Sequence, residues 1–264
     1  MLQITDLHKT FHRGTVSEKK ALCGVDLHLE PGDFVTVIGG NGAGKSTLLN
    51  AVAGVFPIEK GSIVIDGIMV DDMPEHKRAR YVGRVFQDPM TGTAATMEIQ
   101  ENLALALRRG KRRGLGWGIS KAERETYYEL LKTLDLGLED RMSDKVGLLS
   151  GGQRQALTLL MATLSQPKLL LLDEHTAALD PKTAAKVLAL TDKLIAEQHL
   201  TALMITHNMK DAIAHGNRLI MMHNGRIILD IRGEEKQQLT VDSLLAKFSE
   251  TSGDTFASDR SLLS

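Results

Sequence analysis

The sequence predicts an α/β fold: a mostly parallel sheet covered by helices on both faces, an antiparallel β segment at the N-terminal end, and a helical subdomain. Three observations predict it. From residue 34 onward, short apolar runs alternate with helix-length segments, as in parallel strands joined by crossovers. One such run, Phe34-Val35-Thr36-Val37-Ile38, leads into Gly39-Gly40-Asn41-Gly42-Ala43-Gly44-Lys45-Ser46-Thr47, which fits the phosphate-binding pattern G-x-x-x-x-G-K-[ST] in its required setting of strand, turn and helix. Between Met90 and about Leu149 the character changes, with Met97 to Leu107 rich in Glu, Leu and Ala, the residues of a helical insertion.

In chain order, Leu2, Ile4 and Leu7 suggest one strand and Ala21, Leu22, Val25, Leu27 and Leu29 another, with a polar loop from Gly14 to Lys20 between them. Pro31-Gly32-Asp33 is a turn into the strand that carries the phosphate loop. Ser46 to Ala53 reads as a helix stopped by Gly54. Ser62–Ile65 and Tyr81–Phe86 follow as strands, the second ending in Gln87. Met97–Leu107 and Lys121–Leu134 read as helices around a basic, glycine-rich loop, Arg108–Gly118, which holds the only tryptophan; that loop is either a solvated charged segment or a contact for headgroups or a partner. A helix from Gln153 to Ser165 precedes the apolar strand Leu169–Leu172. Pro181–Glu197 is helical, Ala202–Thr206 a strand, Met209–His215 a short helix. Asn224-Gly225 between two apolar runs signals a hairpin. Residues 1–245 are assigned to one nucleotide-binding domain with its helical subdomain at about 90–150, and 246–264 to a loose C-terminal tail.

Bulk composition narrows the function classes. A net charge of −1 supplies no overall basic field, which argues against a nucleic-acid partner. Cys23 is the single cysteine, so an internal disulfide is excluded. The N-terminus lacks a signal-peptide pattern. No apolar run reaches the roughly 18 residues of a membrane span, so a role at a membrane requires a second chain to provide the span.

The chemistry gathers at strand ends, where open parallel sheets bind ligands. Four strands end in the Gly39 loop, Gln87, the pair Asp173-Glu174, and His207. The loop's N–H groups and the new helix's N-terminus suit phosphate. Lys45 adds a cation for the β- and γ-phosphates, and Ser46 a hydroxyl for Mg²⁺. Asp173 is placed to hold Mg²⁺, Glu174 to orient or deprotonate the attacking water, and Gln87 to touch Mg²⁺ or water. His207 either senses the γ-phosphate or is a capping or core histidine. Phe11, before the polar loop, either stacks on a base or fills a small core. Ser150-Gly151-Gly152 is a second set of small residues opening a helix; with no lysine, it suits the nucleotide of another copy.

At these residues the sequence resembles the ATP-binding-cassette (ABC) ATPases to about residue 230. The phosphate loop, the Gln87 loop, Leu149-Ser150-Gly151-Gly152-Gln153, the strand with Asp173-Glu174, the Ala178-Leu179-Asp180 turn and His207 occur in the family's order. The resemblance implies ATP and Mg²⁺ as cofactors and two cassettes, expected as a homodimer, that close head to tail. Each ATP would lie between one phosphate loop and the other chain's Ser150, Gly151, Gly152 and Gln153. It assigns Phe11 to the adenine position, Asp180 to the dimer seam, and the Gln87 loop and helical subdomain to contacts with integral-membrane permease subunits. The chain would work at the cytoplasmic face of the cell membrane. Two departures stand out. Gly40 replaces the usual proline or serine and loosens the turn. After Glu174 comes His175-Thr176 rather than Pro-Thr or Pro-Ser; His175 reads as a structural neighbour, not a second base. With Thr206-His207-Asn208-Met209-Lys210-Asp211, this stretch resembles the ATPases of bacterial importers of tryptophan or other aromatic amino acids, which work with an extracytoplasmic substrate-binding protein. The alternative is a soluble cassette for iron–sulfur assembly, cell division or DNA maintenance. The separation of about 105 residues between Lys45 and Ser150 leaves no room for an inserted coiled coil.

Overall fold

The computed structural model describes residues 1–110 and 118–252. Two sheets form the frame. In the first, β1 (Leu2–Phe11), β2 (Lys19–Leu29), β4 (Lys60–Ile65) and β5 (Ile68–Met69) are antiparallel in the order β2-β1-β4-β5. In the second, β3 (Phe34–Ile38), β6 (Val82–Val85), β7 (Leu169–Asp173), β8 (Thr201–Ile205), β9 (Arg218–His223) and β10 (Arg226–Arg232) lie in the order β10-β9-β3-β8-β7-β6. Every pairing in that sheet is parallel except the β9–β10 hairpin at its edge.

The wholly apolar strands have a simple cause. Along β7, Leu169 and Leu171 join one hydrophobic cluster while Leu170 and Leu172 join another; along β8, Leu203 and Ile205 divide from Ala202 and Met204 in the same way. Alternate side chains face opposite layers, and both layers are covered. On one side the antiparallel sheet and α1 (Lys45–Ala53) supply Leu2, Leu27, Leu48 and Leu49; on the other, α5 (Gly151–Thr163) and α6 (Pro181–Glu197) supply Leu159, Leu188 and Leu194.

The helical subdomain has its own core. Ile99 and Leu103 of α3 (Ile99–Leu107) and Tyr127 and Leu131 of α4 (Lys121–Lys132) pack with Ala156, Leu157 and Leu160 of α5. The limit of about 150 therefore falls at the start of a helix that both cores share. Within the basic loop, 111–117 lie outside the described residues. Arg108 pairs with Glu123 at 2.7 Å, and Arg109 donates to Ser165 Oγ at 2.9 Å, so these two cations are tied back onto the protein.

Further short helices have no strong sequence signal: α2 (Glu75–Arg78) and α8 (Gly233–Gln237). The last, α9 (Val241–Ser252), corrects the boundary at 245/246. Leu244 and Phe248 of α9 are buried, packed on α7 (Met209–Ala214) and the end of β3, so the folded part continues beyond residue 245. Among the described residues no helix is long and apolar enough to cross a membrane.

Candidate nucleotide site

β3 ends at Ile38, and the chain turns through Gly39–Gly44 before α1 begins at Lys45. Gly44 has φ +106°, and a Cβ there would lie 2.5 Å from the Ala21 carbonyl oxygen; only glycine takes this turn. The N-terminus of α1 carries no side-chain cap, so its free N–H groups face the loop, together with the positive end of the helix dipole. Lys45 is 5% exposed, and its ammonium donates to the carbonyls of Gly39 at 2.7 Å and Gly40 at 3.2 Å. Burial pulls its pKa down, offset by the charges of Glu174 and Asp173. With two of three donors used on loop carbonyls, the ammonium stays at the mouth of the loop. An uncapped helix start beside a buried cation fits a phosphate chain.

One cleft is lined by Phe11, Lys19, the loop from Asn41 to Thr47, Glu174 and His207. It brings together residues that are up to 196 positions apart (11 to 207). Phe11, at the end of β1, meets Phe56 edge-on, ring centroids 5.4 Å apart, and Lys9 Nζ lies 5.5 Å from its centroid. One edge of the Phe11 ring thus packs on Phe56, and the side chain also lines the cleft. Replacing Phe11 by Ala should weaken ATP affinity by about 1 kcal/mol, the scale of an aromatic stacking contact. A titration with a fluorescent ATP analogue checks this, and unchanged affinity would assign the ring to packing alone.

β8, β7 and β6 end side by side next to β3, as the four-strand reading requires. Asp173 is the last residue of β7 and Glu174 follows with φ +47°, its N–H donating to Ile205 O of β8 at 3.1 Å. Glu174 Oε1 and His207 Nε2 are 2.6 Å apart, which joins the proposed base to the proposed phosphate sensor. Burial raises the Asp173 pKa, and the opposing pull of Arg84, Lys45 and His207 only partly offsets it. Ser46 is exposed at the cleft. Among the described residues no group of three or more His, Cys, Asp or Glu could hold a metal ion; a hydroxyl and one carboxylate would fit a Mg²⁺ whose other ligands are substrate phosphates and water. Gln87 is exposed beyond β6 and does not line the cleft.

Ser150, Gly151 and Gly152 open α5. Ser150 Oγ accepts from the Gln153 N–H at 3.3 Å, and Gln153 Oε1 accepts from the Ser150 N–H at 3.2 Å, a reciprocal cap. A Cβ on Gly152 would run into the methyl of Thr183, and Thr183 N–H in turn donates to Asp180 at 3.1 Å. Hydrogen bonding from the Thr183 side chain, and then from its N–H, holds the Asp180 carboxyl below its usual range. The starts of α5 and α6 thus form one patch, and none of Ser150, Gly151, Gly152, Gln153 or Asp180 lines this chain's own cleft.

Sequence reasoning passed over Arg84. Its guanidinium donates to Asn50 Oδ1 of α1 at 2.6 Å, lies 3.5 Å from Asp173, and stacks on Phe86 with 4.5 Å from Cζ to the ring centroid. A lone cation in the apolar run Tyr81–Phe86 was the available signal, since a buried charge requires partners. His175 is 2% exposed and bonded to Thr191 Oγ1 at 3.0 Å. Burial pushes its pKa down to about 4, so it is neutral and, as expected, a structural neighbour of Glu174.

The ABC transporter family profile matches residues 22–177, more than half of the chain. A tyrosine transport ATP-binding protein of Clostridioides difficile is 45% identical over 94% of this chain and 98% of its own length. An aliphatic sulfonates import ATP-binding protein of Albidiferax ferrireducens is 35% identical over 87% of this chain and 73% of its own. A methionine import ATP-binding protein of Streptococcus pneumoniae is 34% identical over 92% and 69%. Among solved structures, a dimeric ATP-binding cassette in a post-hydrolysis state with ADP and Pi superposes with TM-score 0.75 at 31% identity, covering 88% of this chain and 98% of that one. A cassette in its ADP conformation gives 0.77 at 27% identity, covering 94% and 98%. Likeness of this extent, in a chain that carries the family's motifs in order, makes it an ATP-binding and ATP-hydrolysing member of the ABC transporter family.

Proposed function

We propose that the chain is the ATPase subunit of a bacterial importer for aromatic amino acids, tyrosine among them. The carrying observation is 45% identity along 98% of a tyrosine transport subunit. Two other relatives are also import subunits, which favours transport over the soluble alternatives. Two copies close head to tail, each ATP held by one chain's phosphate loop and the other's Ser150 patch; the dimeric cassettes of similar fold support this arrangement.

Within each site the residues divide the work that phosphoryl transfer demands, namely positioning and charge neutralisation. Gly39–Thr47 cradle the phosphates, Lys45 binding the β- and γ-groups. Ser46 and Asp173 would hold Mg²⁺, and Gln87, exposed outside the cleft, would reach it through water. Mg²⁺ supplies neutralisation of the developing phosphate charge. Glu174 orients and deprotonates the attacking water, and His207 donates to the γ-phosphate while its contact with Glu174 fixes both side chains. Permease subunits dock in the groove between core and helical subdomain, whose walls include Glu75, Ala79, Phe86, Arg109 and Met161 next to Gln87. The chain is then peripheral on the cytoplasmic face, and a substrate-binding protein delivers cargo from the other side.

Replacing Lys45 by Ala should weaken ATP binding by about 10- to 100-fold, the equivalent of losing charged hydrogen bonds; full affinity on titration would contradict the phosphate role. The reading as a whole is tested in proteoliposomes that contain this chain, its co-purifying permease and a substrate-binding protein. Tyrosine-loaded binding protein should stimulate ATP turnover. Stimulation by aliphatic sulfonates or methionine instead of aromatic amino acids would overturn the substrate class.

A further inference from the structure

The two catalytic turns hang from consecutive residues of one helix. On the first, His175 follows Glu174 directly. The hydroxyl of Thr191, fully buried on α6, donates to Val187 O at 2.8 Å, so its oxygen accepts from His175 Nε2–H at 3.0 Å. That bond fixes the ring's tautomer and anchors the Glu174 turn, whose left-handed φ of +47° needs surrounding support in a residue with a Cβ. On the second, His207 lies just before α7, and His215 just after it. His215 Nδ1 donates to Asp192 Oδ2 at 2.7 Å. Lys236 of α8 holds the same end of α7, donating to the carbonyls of Ile213, His215 and Gly216 at 2.7–3.0 Å.

We propose that His175 and His215 are positioning residues: through Thr191 and Asp192 of α6 they keep Glu174 and His207 at bonding distance. The same helix begins at Asp180, against the Ser150 patch, so the brace ties the catalytic pair to the part of the molecule that meets a second copy. The proposal rests on the roles given to Glu174 and His207 above. Neither anchor lines the cleft that holds the phosphate loop. Loss of an anchor should therefore slow the chemical step and leave ATP binding alone, since small displacements of a reacting group cost rate more than affinity.

The test uses the full-length chain with Mg²⁺-ATP. Thr191→Val removes the acceptor at nearly constant shape, and Asp192→Ala removes the partner of His215 at a half-exposed position that does not threaten folding. Each should lower kcat by about 5- to 20-fold, the range set by breaking one partly buried hydrogen bond, with half-saturating ATP within about twofold of wild type. Thr191→Ser, which keeps the hydroxyl, should restore wild-type kcat. The proposal is overturned if folded Thr191→Val and Asp192→Ala turn over normally, if kcat and ATP affinity fall together, or if Thr191→Ser is as slow as Thr191→Val. Glu174→Gln run alongside separates the layers. If that variant hydrolyses ATP normally, the role of Glu174 is wrong; if it is inactive while both anchor variants are normal, only the brace is wrong.

Discussion

Replacing Glu174 by Gln lowers ATP turnover by about 10²- to 10⁴-fold, the contribution of a positioned general base, while ATP affinity stays within a few-fold of wild type. The substitution is nearly isosteric. Its amide oxygen still accepts from His207, across the 2.6 Å contact made by the carboxylate, so the geometry of the pair survives and only basicity is lost. The phosphate loop and Asp173 are untouched. Binding therefore proceeds, closure proceeds, and hydrolysis does not, so a nucleotide-loaded dimer should accumulate. Phosphate release at saturating Mg²⁺-ATP gives the rate, and size-exclusion chromatography with ATP gives the dimer. Turnover within tenfold of wild type would remove Glu174 from the base role.

That Glu174 could be placed at the carboxyl end of the sheet from sequence follows from the strand that delivers it. Leu169–Leu172 is apolar at every position because both faces of β7 are buried, so the first polar residues after it had to leave the sheet at its carboxyl end. The same logic located the Gly39 loop and His207. It located Gln87 as a strand end too, but not its exposed position outside the cleft. The starts of the two helices that follow Ser150 and Asp180 were also legible, because small residues at Ser150-Gly151-Gly152 and the proline at 181 are signals carried within a few residues, and α5 and α6 begin there. What escaped were contacts that depend on distant segments. Arg78 is 1% exposed and caps the end of α1 through the carbonyls of Ala51 and Val52; nothing near residue 78 announces this. Arg84 is bonded to Asn50, 34 positions away. Lys236 is likewise defined by carbonyls more than 20 positions earlier. The C-terminal helix was legible but passed over: Val241, Leu244, Leu245 and Phe248 fall at helical spacing just before the Ser- and Thr-rich end, and all four join the cluster that α7 and β3 offer.

Replacing Ser150 by Arg abolishes turnover, by about 100-fold or more, yet leaves ATP binding by a single chain within about threefold. The asymmetry follows from where Ser150 lies. It is exposed, caps α5, and stands apart from the cleft that holds this chain's own phosphate loop. Losing the cap costs about 1 kcal/mol, an effect that Ser150→Ala reproduces and that leaves most activity in place. The arginine adds bulk and a cation at a helix N-terminus, where positive charge is unfavourable, on the surface that the proposed head-to-tail pairing brings to a second chain's nucleotide. In a Glu174→Gln background the ATP-trapped dimer should no longer form. The sharper measurement mixes Ser150→Arg with Lys45→Ala at an ATP concentration too low to fill the weakened Lys45→Ala site, so that neither chain turns over alone. Head-to-tail pairing gives each mixed dimer one site with both defects and one with neither, because the intact phosphate loop of the first chain meets the intact Ser150 of the second. ATP hydrolysis should therefore return on mixing, towards a substantial fraction of wild type. If each site were complete within one chain, mixing would restore nothing, and the shared-site geometry would be wrong.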